Sequence, residues 1–354
     1  MPAQSAYRSE SEYRFDEPYR IESDSLVDAI SEDRASPSLD VDNSQPERRS
    51  TRLSEKPRKQ WRSKDVGLIY SLHISLSKAL RKHGREGVRA LTKEIQQIDD
   101  LGTFKGVHLT PAVRRKAIMS LLFFKEKYLS TGQFDKLKAR LVAGGHQQDR
   151  TVYDGNDISS PTVATECVYM VAGIAAMERR KVITVDIAGA YLKGSFKEKA
   201  EPIHMRLDAK VAETLCVINP GYEVYRLSDG TMYVELLKPL YGLIEAAQLW
   251  YINITTTLKD AGFVQNPYDK CVWNRMFGED QQTIVIHVDD LKITCRNDEA
   301  NKDIVRVLRE KYKDVTVNEG TVHSYIGITF DYSTPGKVLL TQEGYTGDLA
   351  YPTL

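Results

Sequence analysis

The sequence has no net charge, few cysteines and no long apolar run. Its 49 basic residues balance its 49 acidic residues, so no overall attraction to a polyanion is expected. The four cysteines are scattered, with no CxxC or Cys/His spacing that would predict a zinc site. The longest apolar runs are well short of the roughly 20 residues that a membrane span needs. Because no targeting pattern begins the chain, we expect an intracellular protein with reduced thiols, not a secreted one.

The first part of the chain has the composition of a disordered leader. Residues 1–66 are acidic and serine-rich, then basic at 47–64, and follow neither a helical nor a strand period. A solvated linker is the favoured interpretation of the basic stretch; a weak nucleic-acid-binding arm or a localisation signal is the alternative. We expect folding to begin near residue 67, because the chain is 41% hydrophobic and long enough for a sizeable core.

Helical and strand periods alternate along the rest of the chain. Apolar residues three and four apart predict helices at 88–104, 159–180, 239–263 and 297–314. Ser160 suits the N-cap of the second helix and Pro161 its first turn. Alternation and short apolar runs predict strands at 117–145 (two, joined at 130–132), 181–194, 270–276, 283–295 and 315–333. The order of elements predicts an α+β fold with helices on one face of a sheet.

Three carboxylates stand beside or between apolar runs. Asp186 ends the strand "VITVD", and Asp289 and Asp290 occupy the turn of "TIVIHVDDLKIT". Taken singly, each is more often a solvated strand end or hairpin tip. If the strands are neighbours in one sheet, the acids converge and raise each other's pKa. A hard divalent cation such as Mg²⁺ would balance them, and two such ions can support nucleotidyl transfer.

Eight segments of the sequence, in order, resemble the reverse transcriptase of copia-type LTR retrotransposons. They are "KLKARLVAGGHQQD" (136–149), "SSPTV" (159–163), "VDIAGAYLKG" (185–194), "LLKPLYGLIEAAQLWY" (236–251), "GFVQNPYDKCVW" (262–273), "HVDDLKIT" (287–294), "SYIGITFD" (324–331) and "LLTQEGY" (339–345). The resemblance extends over about residues 88–346. One motif would be weak evidence, but the ordered set makes chance agreement very improbable.

The resemblance implies a right-hand polymerase fold with an antiparallel palm sheet backed by helices. Fingers are expected mainly at 67–160, the palm mainly at 161–335 and the start of a thumb at 336–354, with most of the thumb missing. The implied activity is RNA-directed DNA polymerisation, by two-metal nucleotidyl transfer to a primer 3′-hydroxyl. The alternative is a catalytically silent remnant that at most binds nucleic acid. The surviving acids favour the first hypothesis, and the short thumb favours the second.

The resemblance also implies cofactors and partners. Two Mg²⁺ ions are expected, with Mn²⁺ as a possible substitute. The partners would be an RNA template, a DNA primer or RNA–DNA hybrid, and dNTPs, with no membrane. The expected compartment is the cytoplasm, within a virus-like particle, or the nucleus. The oligomeric state stays open.

Roles for individual residues follow from the same resemblance. Asp186, Asp289 and Asp290 would be the catalytic acids and metal ligands. Asp186 and Asp289 are the main ligands in this assignment, and Asp290 is the third acid. Ile187 would offer its backbone carbonyl to a metal.

Five further residues would bind the dNTP. Lys138 and Arg140 would hold the triphosphate, to which arginine can bind bidentately. Tyr191 would stack under the sugar and exclude a 2′-hydroxyl, and Tyr241 and Gly242 would line the nucleotide pocket. Without the resemblance, Tyr191 is more simply a core aromatic, and the two cations are a solvated strand face.

Three residues are assigned to the primer and template. Tyr325 and Gly327 would belong to the hairpin that positions the primer end. His287 stands where the family usually has tyrosine, so it either contacts the primer–template minor groove or is an ordinary strand residue. Gly145 stands where a basic residue is frequent, which would remove one nucleic-acid contact.

Overall fold

The structure is a computed structural model that describes residues 74–128, 134–153, 158–196 and 201–342. The leader and the turn at 130–132 lie outside the described residues. The helices are α1 (Leu76–His83), α2 (Arg85–Asp100), α3 (Pro111–Lys116), α4 (Thr165–Met177), α5 (Ala209–Ile218), α6 (Ala246–Asp260) and α7 (Asp298–Tyr312). The strands are β1 (Ile74–Ser75), β2 (Phe104–Gly106), β3 (Ile118–Tyr128), β4 (Phe134–Ala143), β5 (Lys181–Ile187), β6 (Ile203–Leu207), β7 (Met232–Leu236), β8 (Val264–Gln265), β9 (Val272–Phe277), β10 (Asp280–His287), β11 (Asp290–Cys295), β12 (Val315–Asn318), β13 (Val322–Tyr325), β14 (Ile328–Asp331) and β15 (Leu339–Thr341). This mixture confirms the predicted α+β class.

The first sheet has the strand order β1-β3-β6-β7-β2, with β4 paired to β3. Helix α2 packs on it because Leu91, Ile95 and Ile98 recur on one helical face and are fully buried. Strands β6 and β7 join this sheet, although their residues fall in the range that the sequence assigned to the palm. The first sheet is therefore assembled from two separate parts of the chain.

The second sheet has the order β12-β5-β11-β10-β9-β8 and is antiparallel throughout. On one face, Trp250, Ile254 and Leu258 of α6 pack with α7 against the apolar residues of β5, β10 and β11. On the opposite face, α4 packs with residues of the third sheet, whose order is β13-β14-β15. Helices therefore lie on both faces, and the expectation of one helical face is wrong.

Helix α4 begins later than its sequence predicts. It starts at Thr165 with Ala164 as the N-cap residue, so the N-cap assigned to Ser160 is wrong. The Ala164 N–H donates to Asp269 Oδ2 at 2.9 Å, so a carboxylate from a distant loop satisfies this amide. In contrast, Asn297 caps α7 as predicted, accepting from the Glu299 N–H at 3.0 Å.

Two further features bear on the sequence-based expectations. In the part of the chain that the structure describes, no helix is both long and apolar enough to cross a membrane. All four cysteines lie within that part and carry free thiols. Strand β15 falls in the predicted start of the thumb and pairs with β14. The remainder of that predicted segment, residues 343–354, lies outside the described residues.

Candidate active site

The structure brings the three predicted acids together at one end of the second sheet. Asp290 pairs directly with Asp186 across β11 and β5, so both side chains lie on the same face of the sheet. Asp290 is the first residue of β11 and not part of the turn, which consists of Val288 and Asp289. The Asp289 carbonyl accepts from the Ile187 N–H at 3.3 Å, which ties the turn to the end of β5.

Asp186 and Asp290 have raised proton affinities. Burial, and next the charge of Asp289, raise the pKa of Asp186. Burial, followed by the charges of Asp289 and Asp186, raises the pKa of Asp290. Lys138 acts in the opposite direction on the pKa of Asp186. The ionised acids are therefore unfavourable in this position unless positive charge approaches them.

The donor set fits a hard cation better than a zinc-type metal. The acids offer carboxylate oxygens, and the side chains remain partly accessible to solvent. Within the described ranges, no three His, Cys, Asp or Glu side chains already form a closed group that could hold a metal by themselves. Mg²⁺ does not need such a group, because it keeps waters and is commonly held by one or two carboxylates plus substrate phosphates. The residues present therefore fit Mg²⁺ with a phosphate substrate.

A basic strand face lies beside the acids. Lys138 and Arg140 share one face of β4, as their spacing predicted. Burial, and next the charge of Arg140, lower the pKa of Lys138. The charges of Lys138, Lys127 and Arg140 all act on the carboxylate of Asp186, so this face lies within electrostatic reach of the acids.

Part of this basic face was not predicted from the sequence. Lys125 of β3 pairs with Lys138 of β4, and Lys127 pairs with Lys136, so that with Arg140 five cations share the face. The signal was the alternation in "FKEKY" opposite "KLKAR", which places these lysines together once the hairpin register is known. Like charges this close repel, and the repulsion favours binding of an anion.

Glu94 was also not predicted as part of this region. It is buried on the apolar face of α2, three residues after Leu91, and its Oε1 accepts from the Leu141 N–H at 3.0 Å. Burial raises its pKa, and Lys138 and Arg140 partly oppose that shift. A carboxyl on an apolar helical face could have been noticed from the sequence. Its carboxyl group binds the backbone of β4, the strand that carries Lys138 and Arg140.

Two tyrosines connect the basic face to the acids. The Arg140 guanidinium lies 4.8 Å from the centroid of the Tyr241 ring, in a cation–π contact. Tyr241 in turn packs edge-on against Tyr191, with centroids 5.0 Å apart. Burial, and then the charge of Asp289, raise the pKa of Tyr191, so its hydroxyl lies near the acids. Gly242 has a φ of 91°, and a Cβ there would clash with the Ala143 carbonyl.

The residues assigned to the primer lie around the same hairpin but differ in accessibility. Tyr325 is buried, and its hydroxyl donates to the Val285 carbonyl at 3.1 Å, so it can act only through its neighbours. His287 packs edge-on against Tyr325 with ring centroids 6.4 Å apart. The His287 Nδ1 has no hydrogen-bond partner among the described residues. Gly327, with a φ of 75°, turns the chain between β13 and β14.

Carboxylates at a sheet end, a basic strand face and two tyrosines lie together, and these residue types suit a divalent cation and a phosphate group. Residues 103–350 match the family model "Reverse transcriptase (RNA-dependent DNA polymerase)". The chain therefore belongs to the reverse transcriptase family. Such enzymes generally use divalent metal ions and bind nucleic-acid templates and primers.

Comparison with individual proteins gives a consistent picture. The chain is 28% identical over 227 residues to a retrovirus-related Pol polyprotein from transposon RE2 of Arabidopsis thaliana, and 27% identical over 227 residues to that from transposon RE1. It is 26% identical over 211 residues to the Pol polyprotein from transposon TNT 1-94 of Nicotiana tabacum. These alignments cover 64%, 64% and 59% of this chain and 14% of each relative. The predicted resemblance to copia-type reverse transcriptases is confirmed.

Among solved structures, the chain is similar to a telomerase from Candida albicans in complex with the TWJ fragment of telomeric RNA. The TM-score is 0.35 at 9% identity, covering 66% of this chain and 47% of the telomerase chain. That likeness is weak. The family assignment comes from the sequence match.

Proposed function

We propose that this chain adds dNTPs to a primer 3′-hydroxyl on an RNA template, using the site formed by Asp186, Asp289 and Asp290. The observation that carries this proposal is the direct pairing of Asp186 with Asp290, with Asp289 in the adjoining turn. The raised pKa values of Asp186 and Asp290, to which burial and next the charge of Asp289 contribute, indicate a place for positive charge. In this proposal the second sheet is the palm, the first sheet belongs to the fingers, and β15 is where a thumb would begin.

The acids would hold two Mg²⁺ ions, or Mn²⁺ in their place. Asp186 and Asp289 are the main ligands in this assignment, Asp290 is the third acid, and the Ile187 carbonyl is a further donor. When bound, such ions activate an attacking hydroxyl and stabilise a leaving pyrophosphate. The bond from the Ile187 N–H to the Asp289 carbonyl supports this assignment only in that it keeps Ile187 next to the turn that carries Asp289.

The basic face and the tyrosines would bind the dNTP. Lys138 and Arg140 would pair with the triphosphate, and that pairing would relieve their repulsion with the neighbouring lysines. Tyr241 and Gly242 would line the pocket, with Arg140 holding the Tyr241 ring by its face. Tyr191, edge-on to Tyr241, would close the sugar side and exclude a 2′-hydroxyl.

The primer end would lie near His287. Its ring is half-buried and packs on Tyr325, so the exposed part of the ring is what would contact a nucleic acid. Tyr325 and Gly327 would support this position from the β13–β14 hairpin. We further propose an intracellular location, either in a cytoplasmic virus-like particle or in the nucleus.

Primer extension tests the proposal. The assay combines an RNA template, a DNA primer, dNTPs and Mg²⁺ or Mn²⁺, and compares the wild type with Asp289→Asn. We expect wild-type extension and at least about a hundredfold loss in the variant. Asp260→Asn, a change of an exposed acid at the end of α6, is the matched control and should behave as wild type.

Two outcomes would contradict the proposal in different ways. Extension that survives Asp289→Asn would show that the acids are wrongly assigned. A wild-type chain that binds the primer–template duplex but never extends it would support the silent-remnant hypothesis instead.

A further inference from the structure

The turn that carries Asp289 has an unfavourable backbone conformation. Val288 has a φ of 56°, in the left-handed region that β-branched residues rarely adopt. It is the first residue of a two-residue turn between β10 and β11, at a position where a positive φ favours glycine. A valine here needs something from the surrounding structure to keep the turn in place.

One side chain contacts this turn with a suitable hydrogen bond. The Trp250 indole N–H donates to the Val288 carbonyl at 2.6 Å. The indole belongs to α6 and is only 1% exposed, within the core that joins α6 to the second sheet. The next carbonyl, that of Asp289, accepts from the Ile187 N–H. Both carbonyls of the turn are therefore bonded, one by a side chain and one by a neighbouring strand.

The indole is itself held by a polar network that reaches the other acid-bearing segment. Tyr312 packs edge-on against Trp250, with centroids 5.4 Å apart, and donates its hydroxyl to Asn253 Oδ1 at 2.7 Å. Asn253 donates to the Lys193 carbonyl at 3.1 Å, and Lys193 Nζ donates to the Tyr312 carbonyl at 3.1 Å. Lys193 ends the short helix that follows Asp186 and contains Tyr191.

We infer that Trp250 is a positioning residue, whose indole N–H holds the Val288–Asp289 turn so that the Asp289 carboxylate faces Asp186. The network through Tyr312 and Asn253 keeps the indole oriented and connects the two segments that carry the acids. This inference rests on the proposed function, because the turn matters for catalysis only if Asp289 is a metal ligand. It adds a residue outside the acids on which metal binding depends.

Trp250→Phe tests the inference, because it removes the N–H and keeps an aromatic ring in the core. The readout is the Mg²⁺ concentration that gives half-maximal extension. We expect it to rise roughly tenfold to a hundredfold, as for residues that orient metal ligands, with the KM for dNTP unchanged. Trp273→Phe is the matched control: Trp273 is also 1% exposed in this core, and its N–H donates to the Lys270 carbonyl instead.

A second substitution separates positioning from general damage to the fold. Glycine at position 288 adopts a positive φ without strain, so Val288→Gly should restore the Mg²⁺ dependence of Trp250→Phe. The inference is overturned if Trp250→Phe shifts the Mg²⁺ midpoint no more than Trp273→Phe, or if Val288→Gly gives no rescue.

A measurement without catalysis keeps the two proposals distinguishable. In a ¹H–¹⁵N spectrum, the Trp250 indole N–H, assigned by its loss in Trp250→Phe, should exchange slowly with solvent. Mn²⁺ titration followed by electron paramagnetic resonance should show weaker binding in that variant. If the wild type neither extends primers nor binds Mn²⁺, the proposed function fails, whereas fast exchange of the Trp250 N–H refutes the hydrogen bond itself.

Discussion

Replacing Lys292 with methionine should stabilise the protein at neutral pH. Lys292 lies on β11, fully buried, and its ammonium nitrogen has no hydrogen-bond partner among the described residues. Its surroundings are aromatic, with Nζ 3.4 Å from the Phe330 ring centroid and 5.4 Å from that of Tyr332. Methionine has similar length and flexibility, so it should fill the same space without the charge.

The magnitude follows from the pKa of Lys292, which burial lowers from 10.5 to about 7. At about 1.4 kcal/mol per pKa unit, the charged form is disfavoured in the folded state by about 5 kcal/mol. We therefore expect Lys292→Met to raise the free energy of unfolding by several kcal/mol, up to about 5 kcal/mol, where the lysine is charged.

The pH dependence of the free energy of unfolding has the opposite sign to that expected for a lysine in an ion pair, whose pKa is raised on folding. Between about pH 7 and 10.5 the folded protein has lost the Lys292 proton and the unfolded chain has kept it. Because the unfolded state binds more protons there, the free energy of unfolding rises with pH, by at most about 1.4 kcal/mol per unit. Below about pH 7 both states are protonated, and the full penalty remains.

Urea unfolding in metal-free buffer, from about pH 6 to about pH 9.5, measures this contribution. The wild-type free energy of unfolding should rise relative to that of Lys292→Met, and the difference should be largest at the acidic end. Lys181→Met, at an exposed position on the adjacent strand β5, should follow the wild type. A Lys292→Met variant that is less stable than the wild type at pH 7, or a difference independent of pH, would refute the reasoning.

Two further predictions concern the acids and the nucleotide pocket. Because the pKa values of Asp186 and Asp290 are raised, the folded state binds more protons than the unfolded chain, and stability should fall as pH rises through the carboxylate range. Asp290→Asn should therefore raise the melting temperature of the metal-free protein at pH 7, measured by thermal shift. It should also reduce the increase in melting temperature that Mg²⁺ produces. Unchanged melting temperatures would contradict this prediction. Gly242→Ala should destabilise the fold well beyond Gly262→Ala in urea titrations, since both have positive φ but only a Cβ at 242 meets other atoms. Equal losses, each of about 1–2 kcal/mol, would mean that backbone strain alone matters.

Local sequence patterns predicted the secondary-structure elements of the site more successfully than they predicted how those elements pack together. The apolar runs on both sides of Asp289 specify a hairpin with its turn at the acids, because a two-residue connection forces the strands to pair. The pairing of β5 with β11 joins segments about a hundred residues apart, and no local pattern predicts it. The sequence showed only that the three acids would converge if these strands were neighbours in one sheet. The structure supplies the register that places Asp186 opposite Asp290.

The burial of Lys292 is a feature that local sequence patterns do not predict. Alternation with Leu291 and Ile293 gives no sign that Lys292 is buried, since one face of an antiparallel sheet is commonly solvated. Here the third sheet covers that face, with Phe330 lying against the lysine. Similarly, Ser160 has the chemistry of an N-cap, but Asp269 from a distant loop bonds to Ala164 and the helix begins later. Both features depend on contacts that are distant in sequence.

The structure gives a different explanation for Gly145, one of the departures from the family pattern. The sequence comparison suggests a lost basic contact, yet a Cβ at 145 would clash with the Gly242 carbonyl. The two glycines let the end of β4 lie against the turn at 241–242, where the Ala143 N–H donates to the Tyr241 carbonyl at 2.7 Å. That contact holds Tyr241 beneath Arg140. Gly145→Lys should therefore raise the KM for dNTP by displacing Tyr241, without tightening binding to the template. Tighter template binding with an unchanged KM, in the same extension assay, would show that the lost cation matters more than the close approach.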